Sequence, residues 1–166
     1  MKRVGLALAT LMLASCGGSP SEDQRAAENA AMADRVREAN DAGPPMQEVV
    51  PETISYPDME AHDLLGLGCA YAPGTSLGIR VIARETDAYM KIDGEMVRFA
   101  ADPGSRELPA ETRTLYNGRE YALRLAIENV IEQGEIEDTT YEGTMWLYDR
   151  QDRVVYTGTG TANCGA

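Results

Sequence analysis

The side chains best suited to acid–base or metal chemistry are a single histidine and two groups of carboxylates. His62 lies among Asp58, Glu60 and Asp63, a spacing that could hold a cation. A denser acidic segment before Trp146 could bind calcium or supply paired carboxylates for glycoside hydrolysis. It comprises Glu132, Glu135, Glu137, Asp138 and Glu142.

Neither acidic group matches a known site pattern. The denser one misses the D-x-[DN]-x-[DN]-G spacing of calcium loops, and acidic residues in a linker or loop are usually solvated. The sequence also lacks G-x-S-x-G, P-loop, H-E-x-x-H and G-x-G-x-x-G motifs. A Ser-His-Asp or Cys-His arrangement would have to use His62, the one histidine. We therefore expect no metal, no cofactor and no catalytic residue, with a carboxylate-based hydrolase as an alternative.

The first fifteen residues have the layout of a secretory leader. Lys2 and Arg3 precede an apolar run from Val4 to Leu13. A run of about ten residues is too short to span ~30 Å of hydrocarbon, which disfavours a transmembrane anchor. We therefore expect an exported protein whose signal peptide is residues 1–15.

The leader closes on Leu13-Ala14-Ser15-Cys16, which resembles the lipobox of bacterial lipoproteins. In that family cleavage exposes the cysteine, so the resemblance implies that Cys16 is the lipidated N-terminus and that the protein contacts the membrane through this lipid. More than one acyl chain gives stable anchoring. Gly17 and Gly18 follow, and by resemblance to enterobacterial sorting they imply the outer membrane, facing the periplasm, rather than the inner membrane. An ordinary secretory signal is the alternative.

Assigning Cys16 to lipid leaves Cys69 and Cys164 as a pair. An oxidising compartment outside the cytoplasm would allow this pair to form a disulfide. Two buried free thiols are the alternative. Metal binding is disfavoured because neither cysteine has a neighbour at C-x-x-C spacing and His62 is far from Cys164 in sequence.

The chain is strongly acidic, with 27 Asp and Glu against 15 Lys and Arg and a net charge of −12 at pH 7. Cleavage of the leader would remove Lys2 and Arg3 but no acidic residue, so the net charge of the mature chain would be more negative still. Such a surface repels nucleic acid and anionic headgroups, which leaves membrane attachment to the lipid. A basic protein or a divalent cation is the partner that the charge favours, although acidity alone also keeps small exported domains soluble.

Residues 16–63 are predicted to form a lipid-anchored tether. Ser21 and Gln24 match a capping box ahead of an Ala-rich run, Arg25 to Ala39, which predicts a short helix within 21–42. Prolines continue the segment as extended chain. A coiled-coil arm is the alternative, but no sustained heptad predicts it, and the sequence specifies no oligomeric state.

Residues 64–166 are predicted to form an all-β domain, an antiparallel meander of seven or eight short strands in a small barrel or sandwich. Alternating hydrophobicity predicts strands over 65–71, 77–83 and 121–127. Two hairpin turns, Asp93-Gly94 and Asn117-Gly118, suggest two-residue loops. The first predicts three cross-strand pairs: Met90 with Val97, Ala88 with Phe99, and Tyr89 with Arg98.

A third hairpin is predicted around residues 149–152, which carry no glycine. Pairing Leu147 with Val154 and Met145 with Tyr156 places these four residues on one face. Three others then share the opposite face: Trp146, Tyr148 and Val155. Exposed aromatic residues often mark an interface, so Trp146 and Tyr148 are the predicted binding surface. The alternative is that the tether or its helix covers them.

We therefore expect an envelope lipoprotein that presents a non-catalytic β domain for binding. A lipid-anchored, acidic, all-β domain with cysteines near its two ends also resembles the membrane-bound inhibitors of C-type lysozyme. That resemblance implies an acidic inhibitor of a basic hydrolase. Inhibition in that family is carried by a serine-glycine loop ahead of a tyrosine and by a lysine-glycine loop, and this chain has neither. Lys91, the one lysine after the leader, lies inside a predicted strand.

Overall fold

The computed structural model describes residues 21–133 and 138–165, so the leader and Cys16 lie outside the described residues. The chain divides into two compact units, Met1–Pro45 and Met46–Ala166. Over the described ranges, no helix is long and apolar enough to cross a membrane.

The first unit contains helix α1 (Glu22–Asp41). The predicted capping box is present: the Gln24 amide donates to Ser21 Oγ, and Ser21 N donates to Gln24 Oε1. These bonds satisfy amide groups that the first helical turn would leave unpaired. Glu22 and Asp23 add negative charge where the helix dipole is positive.

The second unit is a closed antiparallel barrel in which each strand pairs with the next and β8 returns to β1. A short helix, α2 (Tyr56–Ala61), precedes the strands. The strands are β1 (Gly68–Pro73), β2 (Val81–Ala83), β3 (Asp87–Ile92), β4 (Glu95–Ala101), β5 (Leu115–Asn117), β6 (Ala122–Gln133), β7 (Thr139–Tyr148) and β8 (Val154–Gly165). The predicted all-β meander is thus confirmed as an eight-stranded barrel.

The β3–β4 hairpin forms in the predicted register. Met90 pairs with Val97, and Ala88 pairs with Phe99. Asp93 and Gly94 both have positive φ, 51° and 79°, as a tight two-residue turn requires. Turn chemistry and hydrophobic alternation here specify the same register.

The β5–β6 hairpin exists, but its predicted two-residue loop is wrong. Residues 118–121 form the loop, in which Gly118 N donates to the Tyr121 carbonyl, and Asn117 pairs with Ala122. A Cβ on Gly118 would lie 2.9 Å from the Tyr121 carbonyl oxygen of the same loop and 3.0 Å from the Phe99 ring. Close packing, rather than a tight turn, therefore explains this glycine.

The predicted register of the β7–β8 hairpin is also wrong. Leu147 pairs with Tyr156, and a bulge separates that pair from Tyr148 and Val154. The turn obtains its positive φ (57°) from Asp152, a residue type that tolerates this conformation.

The second predicted strand is shorter than expected. Leu77 is 97% exposed, and β2 begins only at Val81. The alternating hydrophobicity of residues 77–83 predicted a longer strand. Ile79 instead packs against the small cluster of Ile54, Leu64 and Ile82, outside the barrel core.

Side chains fill the barrel interior. The largest fully buried residues include Tyr71, Tyr116, Phe99, Met90, Leu123 and Leu147. Gly143 makes room for the Tyr71 ring, since a Cβ there would lie 3.1 Å from the ring and 2.8 Å from the Ala162 methyl. Close packing of the core therefore requires a small residue at position 143 opposite the large ring of Tyr71.

Both ends of the barrel are covered. At one end a segment that we call the strap, residues 46–54, bonds to three strands or their flanks: Val49 N to Val155 O, Glu52 N to Lys91 O, and Ile54 N to Ile79 O. Buried Val49 joins the barrel core. At the other end Leu108, from the loop between β4 and β5, joins the same core. The strap therefore belongs to the compact unit, whereas the sequence placed it in the tether.

A disulfide joins Cys69 on β1 to Cys164 on β8, as predicted. The two residues are direct cross-strand partners with Cα atoms 4.1 Å apart. The bond ties the first strand to the last, at the seam where the meander closes into a barrel.

Candidate functional site

Trp146 and Tyr148 lie half-buried on the outer surface of β7. Their neighbours along the strand, Met145 and Leu147, point inward and are fully buried. This strict alternation follows from the two-residue period of a strand. The two rings therefore face away from the barrel core, as the sequence predicted.

Val155, which was predicted to share that outward face, is instead buried. The bulge between Leu147 and Tyr148 shifts the start of β8 by one position relative to β7. The strap packs on Val155: Val49 N donates to the Val155 carbonyl, and both side chains belong to the barrel core. Of the three residues that were predicted to share the outward face, only the two aromatic residues lie on it.

Arg124 on β6 completes the outer cluster. It is the direct cross-strand partner of Trp146, and its guanidinium lies over the Tyr148 ring at 5.9 Å from the ring centroid. A guanidinium in this position is attracted to the negative face of the ring. The sequence placed Arg124 on an outward strand position but gave no reason to join it to the aromatic pair, because the β6–β7 register was not predictable.

Threonines border the rings on the other side. Thr157 on β8 is the direct partner of Trp146, and the hydroxyls of Thr144 and Thr159 are hydrogen-bonded at 3.2 Å. We call this surface the aromatic face. It consists of Arg124, Thr144, Trp146, Tyr148, Thr157 and Thr159.

A shallow pocket of about 180 Å³ adjoins the aromatic face. It lies between the β5–β6 loop and the β7–β8 turn, and it includes Ala122, the cross-strand partner of Tyr148. Arg119 and Arg150 line it, and Arg150 forms a 3.5 Å ion pair with Glu120. Glu120, Asp149 and Asp152 line it as well, so the charges beside the aromatic face are mixed.

The aromatic face has the chemistry of a contact surface. Its rings offer apolar area at low entropic cost, and its guanidinium can bind a carboxylate through two hydrogen bonds. Trp, Tyr and Arg are the residue types most enriched among energetically dominant interface residues.

Within the acidic group around His62, Asp58 has a structural role. Asp58 caps α2 through hydrogen bonds with the backbone and hydroxyl of Ser55, and both its oxygens lie 3.0 Å from Lys91 Nζ. The side-chain and backbone hydrogen bonds from Ser55, with that from Lys91, lower the pKa of Asp58 to about 2. His62 ends the helix, with its ring centroid 6.0 Å from that of Tyr89.

No group of three or more His, Cys, Asp or Glu residues in the described part of the chain is arranged to hold a metal ion. Within the acidic segment before Trp146, Glu142 accepts a hydrogen bond from Asn129. Glu135 and Glu137 lie outside the described residues.

A second concavity, a groove of about 200 Å³, lies outside the barrel near the disulfide. It is lined by Met59 and Leu64 on one side and by Cys69 and Gly165 on the other. Its walls are mostly apolar, and it shares Leu64 and Ile82 with the small core that attaches α2 to the barrel.

The chain matches no protein-family model, no curated protein and no solved structure in comparisons with each. Its function is therefore inferred from its residues and their geometry, together with the lipobox resemblance of the leader.

Proposed function

We propose that this protein is an exported, lipid-anchored envelope protein whose barrel binds a partner through the aromatic face. The basic and apolar leader, and the lipobox that ends at Cys16, support export and lipidation. The disulfide between Cys69 and Cys164 suits an oxidising compartment outside the cytoplasm. The mature chain would then be held at the membrane by its N-terminus while the barrel faces the periplasm.

The observation that carries the binding role is the outward position of Trp146 and Tyr148. The barrel interior is already filled, with Met145 and Leu147 of the same strand contributing to it. A strand position that faces solvent is normally occupied by a polar residue. Two large rings with a guanidinium over one of them are better explained by contact with another molecule.

The groups on the aromatic face support binding rather than catalysis. Beyond the two rings and Arg124, it presents only threonine hydroxyls, one pair of which is hydrogen-bonded to each other. Activation of a hydroxyl nucleophile needs an adjacent base, and none of the six residues of this face has a carboxylate or an imidazole. The carboxylate two positions from Thr144 on β7, that of Glu142, accepts a hydrogen bond from Asn129. We therefore propose a non-catalytic role.

Trp146 is the single tryptophan of the chain, so its fluorescence reports directly on the aromatic face. Purified full chain in detergent should be titrated separately with peptidoglycan fragments, lipopolysaccharide and a soluble periplasmic extract. We expect one preparation to give a saturable change in emission. Arg124→Ala should weaken that response about tenfold, as expected for an interface residue of this type.

Tyr56→Ala is the matched control, because Tyr56 is an exposed ring on α2 and not part of the aromatic face. It should leave the titration unchanged. An unchanged emission with all three preparations, or an equal loss in Arg124→Ala and Tyr56→Ala, would contradict the proposed surface.

Lipidation is tested separately. Replacing Cys16 by serine and labelling cells with a fatty-acid analogue should abolish both the label and membrane fractionation. Persistence of either in the Cys16→Ser variant would contradict the lipid anchor without bearing on the aromatic face.

A further inference from the structure

One edge of β6 is unpaired over the second half of the strand. β6 pairs with β7 as far as Gln133, but its pairing with β5 ends at Arg124. The Leu125 amide still donates to the Thr114 carbonyl at 2.9 Å. Beyond it no strand in the described ranges lies against residues 126–133, which we call the β6 edge.

The β6 edge is exposed and partly apolar. Residues 128–133 are all exposed, and Val130 and Ile131 have exposed fractions of 58% and 56%. Closed barrels normally leave no edge, and natural edges are protected by charged side chains, by proline or by bulges. The β6 edge has no lysine or proline, and its protection consists of Glu128, Glu132 and two bulges in its pairing with β7. Its backbone groups and two apolar side chains are therefore accessible to another strand.

The charged residues on and beside this edge are all acidic. Glu128 and Glu132 lie on it, Glu142 lies on the neighbouring strand, and Asp138 immediately precedes that strand. Residues 125–133 and 138–143 contain no lysine or arginine. A segment that pairs here would place its side chains beside carboxylates, so lysine or arginine would be favoured at alternate positions.

We propose that the β6 edge binds an extended, basic segment of a partner protein by strand addition. Main-chain hydrogen bonds to β6 would supply affinity, Val130 and Ile131 would contact apolar residues of the segment, and the carboxylates would select its basic residues. A second copy of this chain pairing edge to edge would place like charges opposite one another, which is destabilising.

This site adjoins the aromatic face but shares no residue with it. Ala126, the first residue of the β6 edge, pairs with Thr144 of the aromatic face. The residues that carry the strand-addition proposal, residues 128–132, lie further along β6, whereas Arg124 and Trp146 pair nearer the β5–β6 loop. The two surfaces can therefore be disrupted independently, and failure of one proposal leaves the other standing.

The probe is a synthetic eight-residue peptide of alternating lysine and valine, titrated into the purified full chain. We expect binding at low salt that weakens at high salt. A peptide N-methylated at alternate residues keeps its charge but loses its donors along one edge, so it should not bind. An alternating glutamate and valine peptide should not bind either.

In the protein, the double variant Glu128→Lys/Glu132→Lys should weaken binding of the lysine peptide about tenfold, since two attractive pairs become repulsive. Glu85→Lys/Glu95→Lys changes the net charge equally at exposed positions elsewhere on the barrel, and it should retain binding. Trp146→Ala should also retain it.

Three results would overturn the strand-addition proposal. They are no binding of the lysine peptide at low salt, equal binding of the N-methylated peptide, and an equal loss of binding in the two charge-reversed proteins. The last would mean that the peptide responds to net charge rather than to this edge.

Discussion

At the scale of single residues, two buried tyrosines in the same core differ in their hydrogen bonds. The Tyr116 hydroxyl accepts from the Arg113 amide at 2.7 Å and donates to the Arg84 carbonyl at 2.8 Å. The Tyr71 hydroxyl is buried and has no hydrogen-bond partner among the described residues. Burial without a partner costs free energy, whereas the two bonds of Tyr116 stabilise the fold.

The two tyrosine-to-phenylalanine variants should therefore differ. Tyr116→Phe should lower the free energy of unfolding by about 1–2 kcal/mol, because it leaves two backbone groups unpaired. Tyr71→Phe should change it by less than about 0.5 kcal/mol, or raise it. Denaturant unfolding of both variants measures the difference. Equal losses would show that the Tyr71 hydroxyl is satisfied as well as that of Tyr116.

Burial also predicts a loss of stability in alkali. It raises the pKa of Tyr116 from 10.0 to about 12, and it also raises the pKa of Tyr71, with the neighbouring Tyr116 contributing. The unfolded chain ionises these residues near pH 10, whereas the folded chain keeps their protons. The stabilisation is therefore complete below about pH 10 and is lost as the pH rises through about 12.

Denaturant titrations from neutral pH to about 12 should show this decline in the free energy of unfolding, and Tyr116→Phe should make it shallower. A free energy of unfolding that stays constant across that range would contradict the role of the buried tyrosines.

At the scale of elements, α2 is attached through Asp58, which caps the helix and pairs with Lys91 on β3. Because its pKa is lowered from 3.8 to about 2, this contribution is present above about pH 4 and is lost as the pH falls through about 2. Asp58→Asn should reduce hydrogen-exchange protection of α2 several-fold at neutral pH. Amide exchange over residues 56–61 is the measurement.

Glu60→Gln on the same helix is the control and should keep that protection. Protection in Asp58→Asn equal to that in Glu60→Gln would show that the apolar contacts of Ile54 and Leu64 hold the helix without the ion pair.

Hairpins were predictable where turn chemistry and hydrophobic pattern agree, and not elsewhere. The turn at Asp93-Gly94 predicted three cross-strand pairs between β3 and β4, and the structure confirms all three. The two-residue turn predicted at Asn117-Gly118 was wrong, because Gly118 is needed for close packing beside the Phe99 ring rather than for a tight turn. The strap was not predictable, since its hydrogen bonds join it to residues of the strands and their flanks that are distant in sequence.

For the candidate site, strand alternation was enough to place Trp146 and Tyr148 outside the barrel. It was not enough to place Arg124 beside them, because the β6–β7 pairing contains two register shifts and no turn motif that fixes it. The unpaired β6 edge was likewise not predictable from the sequence, since it depends on where the shorter strand β5 ends.

At the scale of the whole molecule, the disulfide closes a loop with a sequence separation of 95 and joins the first strand of the barrel to the last. In the chain-entropy model such a loop stabilises by about 4–5 kcal/mol. The double variant Cys69→Ala/Cys164→Ala should lose about this much in denaturant unfolding. A loss below about 1 kcal/mol would mean that strand pairing between β1 and β8 holds the seam without the bond.

We propose that this acidic barrel, held at the envelope, uses its aromatic face to contact another molecule. The most direct test is photo-crosslinking in living cells. A benzophenone amino acid at position 157, directly opposite Trp146, samples the aromatic face, and the same group at position 95 samples an exposed strand of the opposite hairpin. The account predicts a discrete crosslinked product from position 157 that disappears in Trp146→Ala, and none from position 95. The same products from both positions, or no product from position 157, would contradict it.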